Sequence, residues 1–146
     1  MKKLIALIAA GLLLTACTDK NNYEQAVLEE VKKEKDLQDY KITPEHMTSC
    51  VVDLSSKNMP GIIPVDPSRM QAYRSYTKML KLSESNDPQK YLAELRTEFG
   101  SPKALADAHS NYTQSYMDCI AAIIAESDDS AKTEKPAAPA APPQQP

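Results

Sequence analysis

Four times along this chain a Ser, Thr or Asp stands directly before a proline: Thr43-Pro44, Asp66-Pro67, Asp87-Pro88 and Ser101-Pro102. Each pair reads as a helix start. The side-chain oxygen accepts a hydrogen bond from a first-turn amide that has no intrahelical partner, while proline lacks the donor that would be orphaned there and has φ preset for a helix. The apolar pattern after each pair agrees with that reading. Met47, Cys50, Val51 and Leu54 recur at helical spacing after the first; Met70, Tyr73, Thr77 and Leu80 after the second; Tyr91, Leu92, Leu95 and Phe99 after the third, where Gly100 supplies a stop. The fourth opens the longest stripe, Leu105, Ala108, Tyr112, Tyr116, Cys119, Ile120 and Ile123, expected to form the central helix and to end near residue 125. Residues 23–40 are charge-rich, with Tyr23, Val27, Val31 and Leu37 at imperfect spacing and Glu29 one turn before Lys33, which predicts a largely exposed helix. No segment alternates with period two for long enough to compete as a strand. The expected fold is all-α, a small bundle of four to five helices over residues 23–126.

The N-terminus carries a different kind of information. Met1-Lys2-Lys3 precedes an apolar run from Leu4 through Leu14, then Thr15, Ala16 and Cys17, the order of a secretory signal. A run of about thirteen apolar residues rises only ~20 Å, short of a ~30 Å hydrocarbon core, so a membrane-spanning reading is disfavoured. Leu14-Thr15-Ala16-Cys17 resembles the lipobox of bacterial lipoprotein signal peptides. That resemblance covers residues 1–17. It implies diacylglyceryl transfer to the Cys17 thiol, removal of residues 1–16 as a signal peptide, and fatty acylation, such as by palmitate, of the new amino group. Residues 17–22 then read as a short lipidated tether that holds the domain close to the bilayer. Thr18, where an aspartate would resemble an inner-membrane retention signal, favours the periplasmic face of the outer membrane.

Loss of the signal removes Lys2 and Lys3 from 17 basic residues against 20 acidic ones, for a formal charge of −5 (17 − 2 − 20) on the remainder. A mildly acidic surface without a basic block argues against nucleic acid and against electrostatic docking on anionic lipid. With Cys17 acylated, two cysteines remain, Cys50 and Cys119, in a compartment that permits oxidation, and a disulfide is expected; the alternative is two separate buried thiols. From Ser127 to Pro146 the chain is Ala- and Pro-rich with little apolar mass, and a disordered tail is expected.

Beyond the signal the only glycines are Gly61 and Gly100, so no glycine-rich phosphate loop can be built. There is no G-x-S-x-G and no H-E-x-x-H, and a paired Cys50 and Cys119 leave no thiol nucleophile. The reading is therefore not an enzyme, with no catalytic residues and no cofactor. His46, beside Met47 and one turn before Cys50, offers borderline and soft donors suited to copper or zinc, an alternative that a disulfide would undercut by taking the sulfur. His109 falls at the edge of the long stripe, where partial burial is expected. Tyr73, Tyr76, Tyr112 and Tyr116 are expected at boundary positions, rings buried and hydroxyls wet. The aliphatic segment Met59-Pro60-Gly61-Ile62-Ile63-Pro64-Val65 either folds over the bundle or docks a partner, which makes Met59, Ile62 and Ile63 candidate partner-binding residues. The functional expectation is a lipid-anchored envelope module that binds another envelope protein. In size and class it is similar to the helical, disulfide-bearing pilotin lipoproteins that escort secretion-channel subunits, which implies a secretion chaperone as an alternative.

Overall fold

The computed structural model describes the backbone of residues 2–63 and 65–133, with side chains at 18–35, 37, 39–63 and 65–127. The order is α1 (Lys2–Lys33), the single turn α2 (Asp36–Asp39), α3 (Pro44–Lys57), α4 (Pro67–Leu80), a 3₁₀ turn (Lys81–Glu84), α5 (Pro88–Glu98) and α6 (Pro102–Thr133). Among the described residues there is no strand. All four cap-proline pairs open helices. The side chains of Thr43, Asp66 and Asp87 accept from the amides of His46, Ser68 and Lys90, and Ser101 Oγ accepts from Ala104 at 3.0 Å. Gly100 follows α5 with φ 85°, the left-handed conformation that ends a helix without a Cβ clash.

Helix α1 departs most from expectation. Tyr23, Ala26, Val27 and Val31 are buried at 0–2 % exposure, so its charged outer face hides a complete inner stripe packed between α3 and α4. Nor do Glu29 and Lys33 pair with each other: Lys33 Nζ reaches Glu30 at 2.6 Å and Glu84 at 3.4 Å, and Glu29 reaches Lys81 at 3.7 Å, so two charged contacts tie α1 to the 3₁₀ turn after α4. Residues 18–22, expected as a tether, continue α1, with Asp19 only 9 % exposed and paired with Arg74.

The core joins Tyr23, Val27 and Val31 of α1 to Met47, Val51 and Val52 of α3, Tyr73, Tyr76 and Met79 of α4, Leu95 of α5, and Leu105, Cys119 and Ile123 of α6. Tyr73 and Tyr76 are only 4–5 % exposed, deeper than boundary positions, because Tyr23 stacks on the first at 5.8 Å and meets the second edge-on at 5.7 Å. Cys50 and Cys119 form a disulfide across a Cα separation of 5.9 Å, joining α3 to the middle of α6. Helix α6 runs on to Thr133, past the expected end near residue 125; residues 134–146 of the expected tail lie outside the described residues.

Candidate functional site

Helix α6 packs on α3 and α5, and α4 packs on α1, but α4 and α6 themselves scarcely touch. The separation between them is a cleft of about 870 Å³. Small side chains create it: Ala72 and Ser75 on α4 face Ala104, Ala108 and Ser115 on α6, so neither helix has the bulk to close the gap. Leu54 and Phe99 add apolar walls.

The floor is an amide network. Asn111 Nδ2 donates to the Ser55 carbonyl at 2.9 Å and to Tyr76 Oη at 3.0 Å, and its Oδ1 accepts from Asn58 Nδ2 at 2.9 Å. One side chain thereby joins α6 to α3, to α4 and to the loop after α3, with every polar atom engaged. Burial pushes the Tyr76 phenol above its ordinary range, against the opposing effect of its bond with Asn111. At the far wall Glu98, at the end of α5, accepts from Gln71 at 3.2 Å, Ser75 at 3.1 Å and Lys78 at 2.7 Å, tying α5 across α4. Asp107 is bonded to Lys103 at 2.6 Å and Asp118 to Gln114 at 2.8 Å. Lys78 and Lys103 thus balance two of the three rim carboxylates, and Lys57 stands against Asp118, so the rim is charged without a net sign. Chemically the cleft offers apolar walls with amide and hydroxyl groups fixed at its base, a surface suited to binding.

A second cleft of about 750 Å³, lined by Leu80, Leu82, Leu92, Leu95 and Leu105, opens between the 3₁₀ turn, α5 and α6. His109 borders it but is exposed, where partial burial was expected. Tyr112, also on its wall, is pushed up strongly, first by burial and then by the Glu30 carboxylate.

The residues singled out from sequence scatter. His46 is exposed while Met47 is wholly buried, because neighbours on a helix point about 100° apart, and Cys50 is committed to the disulfide. The His46 and Met47 donor set is thus not assembled, and among the described residues no group of three or more His, Cys, Asp or Glu could hold a metal ion. Of the segment expected either to fold over the bundle or to dock a partner, Met59 is 4 % exposed and belongs to the core, while Ile62 and Ile63 are 95 % and 54 % exposed. The backbone of Cys17 lies within α1, and its side chain lies outside the described residues. Among the described residues no helix is long and apolar enough to cross a membrane.

Sequence reasoning missed the cleft residues Asn58, Gln71, Asn111 and Gln114. The one signal for them is the run Ala104, Ala108, Asn111, Ser115 at spacings of four, three and four, a small-and-amide stripe beside the apolar one on the same helix. Compared with protein-family models, characterised proteins and solved structures, the chain matches none.

Proposed function

We propose that the chain is a lipid-anchored adaptor of the bacterial cell envelope, held at the periplasmic face of the outer membrane through Cys17, which binds an extended segment of a partner protein between α4 and α6 without catalysing a reaction. The observation that carries the binding reading is the cleft itself. Its volume of about 870 Å³ suits several side chains, its apolar walls supply the driving force, and the side-chain carbonyls of Asn58 and Gln114, whose amide nitrogens are held by Asn111 and Asp118, can accept from main-chain amides. The anchor reading is supported by the lipobox-like residues 14–17 and by the disulfide, which fits an oxidising compartment. The non-catalytic reading is supported by carboxylates that are already engaged by neighbours and by the placement of both histidines outside the cleft.

A photo-crosslinking residue placed in living cells at Gln114, at His109 or at Lys90 tests the assignment. The expected result is one adduct from Gln114, identified by peptide mass spectrometry as an envelope protein, that disappears when Ala104→Trp fills the cleft and helicity is retained. Adducts of equal yield from Lys90 would overturn it. Adducts from His109 alone would move the partner to the leucine-lined cleft, where the apolar face of an amphipathic helix would fit.

A further inference from the structure

Helices α1 and α4 run parallel. Asp19 pairs with Arg74, Tyr23 packs on Tyr73 and Tyr76, Glu29 meets Lys81 and Lys33 meets Glu84, a sequence offset of 50 to 55 throughout. The same offset sets residue 17 beside the first two turns of α4, which begins at Pro67. The loop from α3 to α4 is therefore at the same end of the bundle as the acylation site. Among the described residues it is the loop with the most exposed aliphatic surface: Ile62 at 95 %, Ile63 at 54 % and Val65 at 42 %.

This exposure is built into the loop. Arg69 turns inward from α4 and donates to the carbonyls of Ser56 and Gly61, Asp66 caps α4, and the Asp66 amide bonds the Ile63 carbonyl at 3.0 Å. Gly61 sits at φ 89°, and a Cβ there would stand 2.8 Å from the Arg69 backbone nitrogen, so glycine is required for both conformation and approach. Buried Met59 pins the base. A held loop that presents isoleucine to the outside is prepared for an apolar environment.

Resting on the anchor reading, we infer that Ile62, Ile63 and Val65 are a second membrane contact, entering the headgroup and acyl boundary beside the acyl chains on Cys17 and fixing the orientation of the domain on the bilayer. The bilayer is favoured over a protein partner because no spacer separates anchor from fold. Asp19, two residues from Cys17, is already packed, and two residues span at most ~7 Å, so this end of the bundle lies at the lipid surface. Insertion of a few aliphatic side chains to that depth adds to acyl anchoring without a spanning segment. The rest of the molecule is then directed consistently: the contacts of Lys33 and Lys81 with Glu84 and Glu29, and the leucine-lined cleft beside them, fall at the opposite end.

The chain contains no tryptophan, so Ile62→Trp supplies a single reporter. Acylated mature protein bearing Ile62→Trp, purified from a bacterial host and reconstituted in phosphatidylethanolamine and phosphatidylglycerol vesicles, is expected to show blue-shifted emission that brominated acyl chains quench. Tyr40→Trp, from an exposed residue before α3 at the other end, is expected to keep a water-like, unquenched emission. Acylated protein that co-sediments with the vesicles while Ile62→Trp stays water-like and unquenched overturns the inference and leaves the anchor standing; shielding of that reporter only by an added envelope protein likewise overturns it. Absence of lipid on Cys17 in the purified protein defeats the anchor reading, and the inference with it.

Discussion

The hydroxyls of Tyr23 on α1 and Ser55 on α3 lie 2.8 Å apart, both on residues with no exposed surface. Ser55 Oγ is also 2.7 Å from the Val51 carbonyl one turn earlier, so the seryl proton goes to that carbonyl and the phenol donates to Ser55. Removing either partner is thus unequal. Tyr23→Phe leaves Ser55 satisfied and should cost about 0.5–1.5 kcal/mol, whereas Ser55→Ala orphans a buried phenol and should cost about 1–3 kcal/mol. Urea unfolding of the two variants checks the order; a Tyr23→Phe variant less stable than Ser55→Ala contradicts it.

The Cys50–Cys119 bridge closes a loop with a sequence separation of 69. On the chain-entropy model this restricts the unfolded chain by about 4 kcal/mol, a large share of the stability of a small domain. Reduced protein is expected to unfold at markedly lower denaturant concentration than oxidised protein with little change in native circular dichroism, because α3 and α6 are also joined by apolar packing and by Asn111. Coincident unfolding curves for the two forms would show that the bridge contributes nothing to stability.

Gly61 and Gly100 separate two costs of a side chain. Both have positive φ, but a Cβ at Gly100 meets nothing within 4 Å, while one at Gly61 collides with the Arg69 backbone. Gly100→Ala should therefore cost about 1 kcal/mol from conformation alone, and Gly61→Ala more than that. Hydrogen exchange locates the difference: Gly61→Ala is expected to raise exchange in the α3–α4 loop, and an unchanged loop would count against the clamp made by Arg69.

Burial raises the phenols of Tyr23, Tyr76 and Tyr112 above the ordinary value of 10.0. The folded state thus holds protons that the unfolded state releases, so their contribution is complete below about pH 10 and is lost as pH rises beyond it. Stability measured by denaturant should fall steeply above pH 10, with part of the phenolate absorbance appearing only as the protein unfolds. Tyrosine absorbance that titrates completely in the folded protein would contradict this.

Helix starts were legible because the cap-proline signal is local: a side-chain oxygen, a missing amide and a preset φ act within one turn, whatever packs above them. The burial of α1 was not legible. Tyr23, Val27 and Val31 supply one apolar residue per turn, a stripe too narrow to outweigh the surrounding charges until α3 and α4 close over it from both sides. The tyrosines lie deeper than their sequence context suggests for the related reason that Tyr76 finds its polar partner, Asn111, on a distant helix. The cleft is a tertiary absence of contact between α4 and α6, and small residues such as Ala104 and Ala108 read equally well as close packing. The loop was legible in its composition and undecided in its exposure, because the Arg69 clamp that holds Ile62 outward depends on a side chain from the next helix.

The proposal of a thioether-linked lipid on Cys17 underlies both the envelope assignment and the orientation on the bilayer. Intact-mass and N-terminal peptide mass spectrometry on protein from a bacterial host is the direct measurement. The predicted result is a chain beginning at Cys17, with residues 1–16 gone and the mass of a diacylglyceryl group on that residue. A chain that retains Met1, or one that begins at Cys17 with an unmodified thiol, would contradict it.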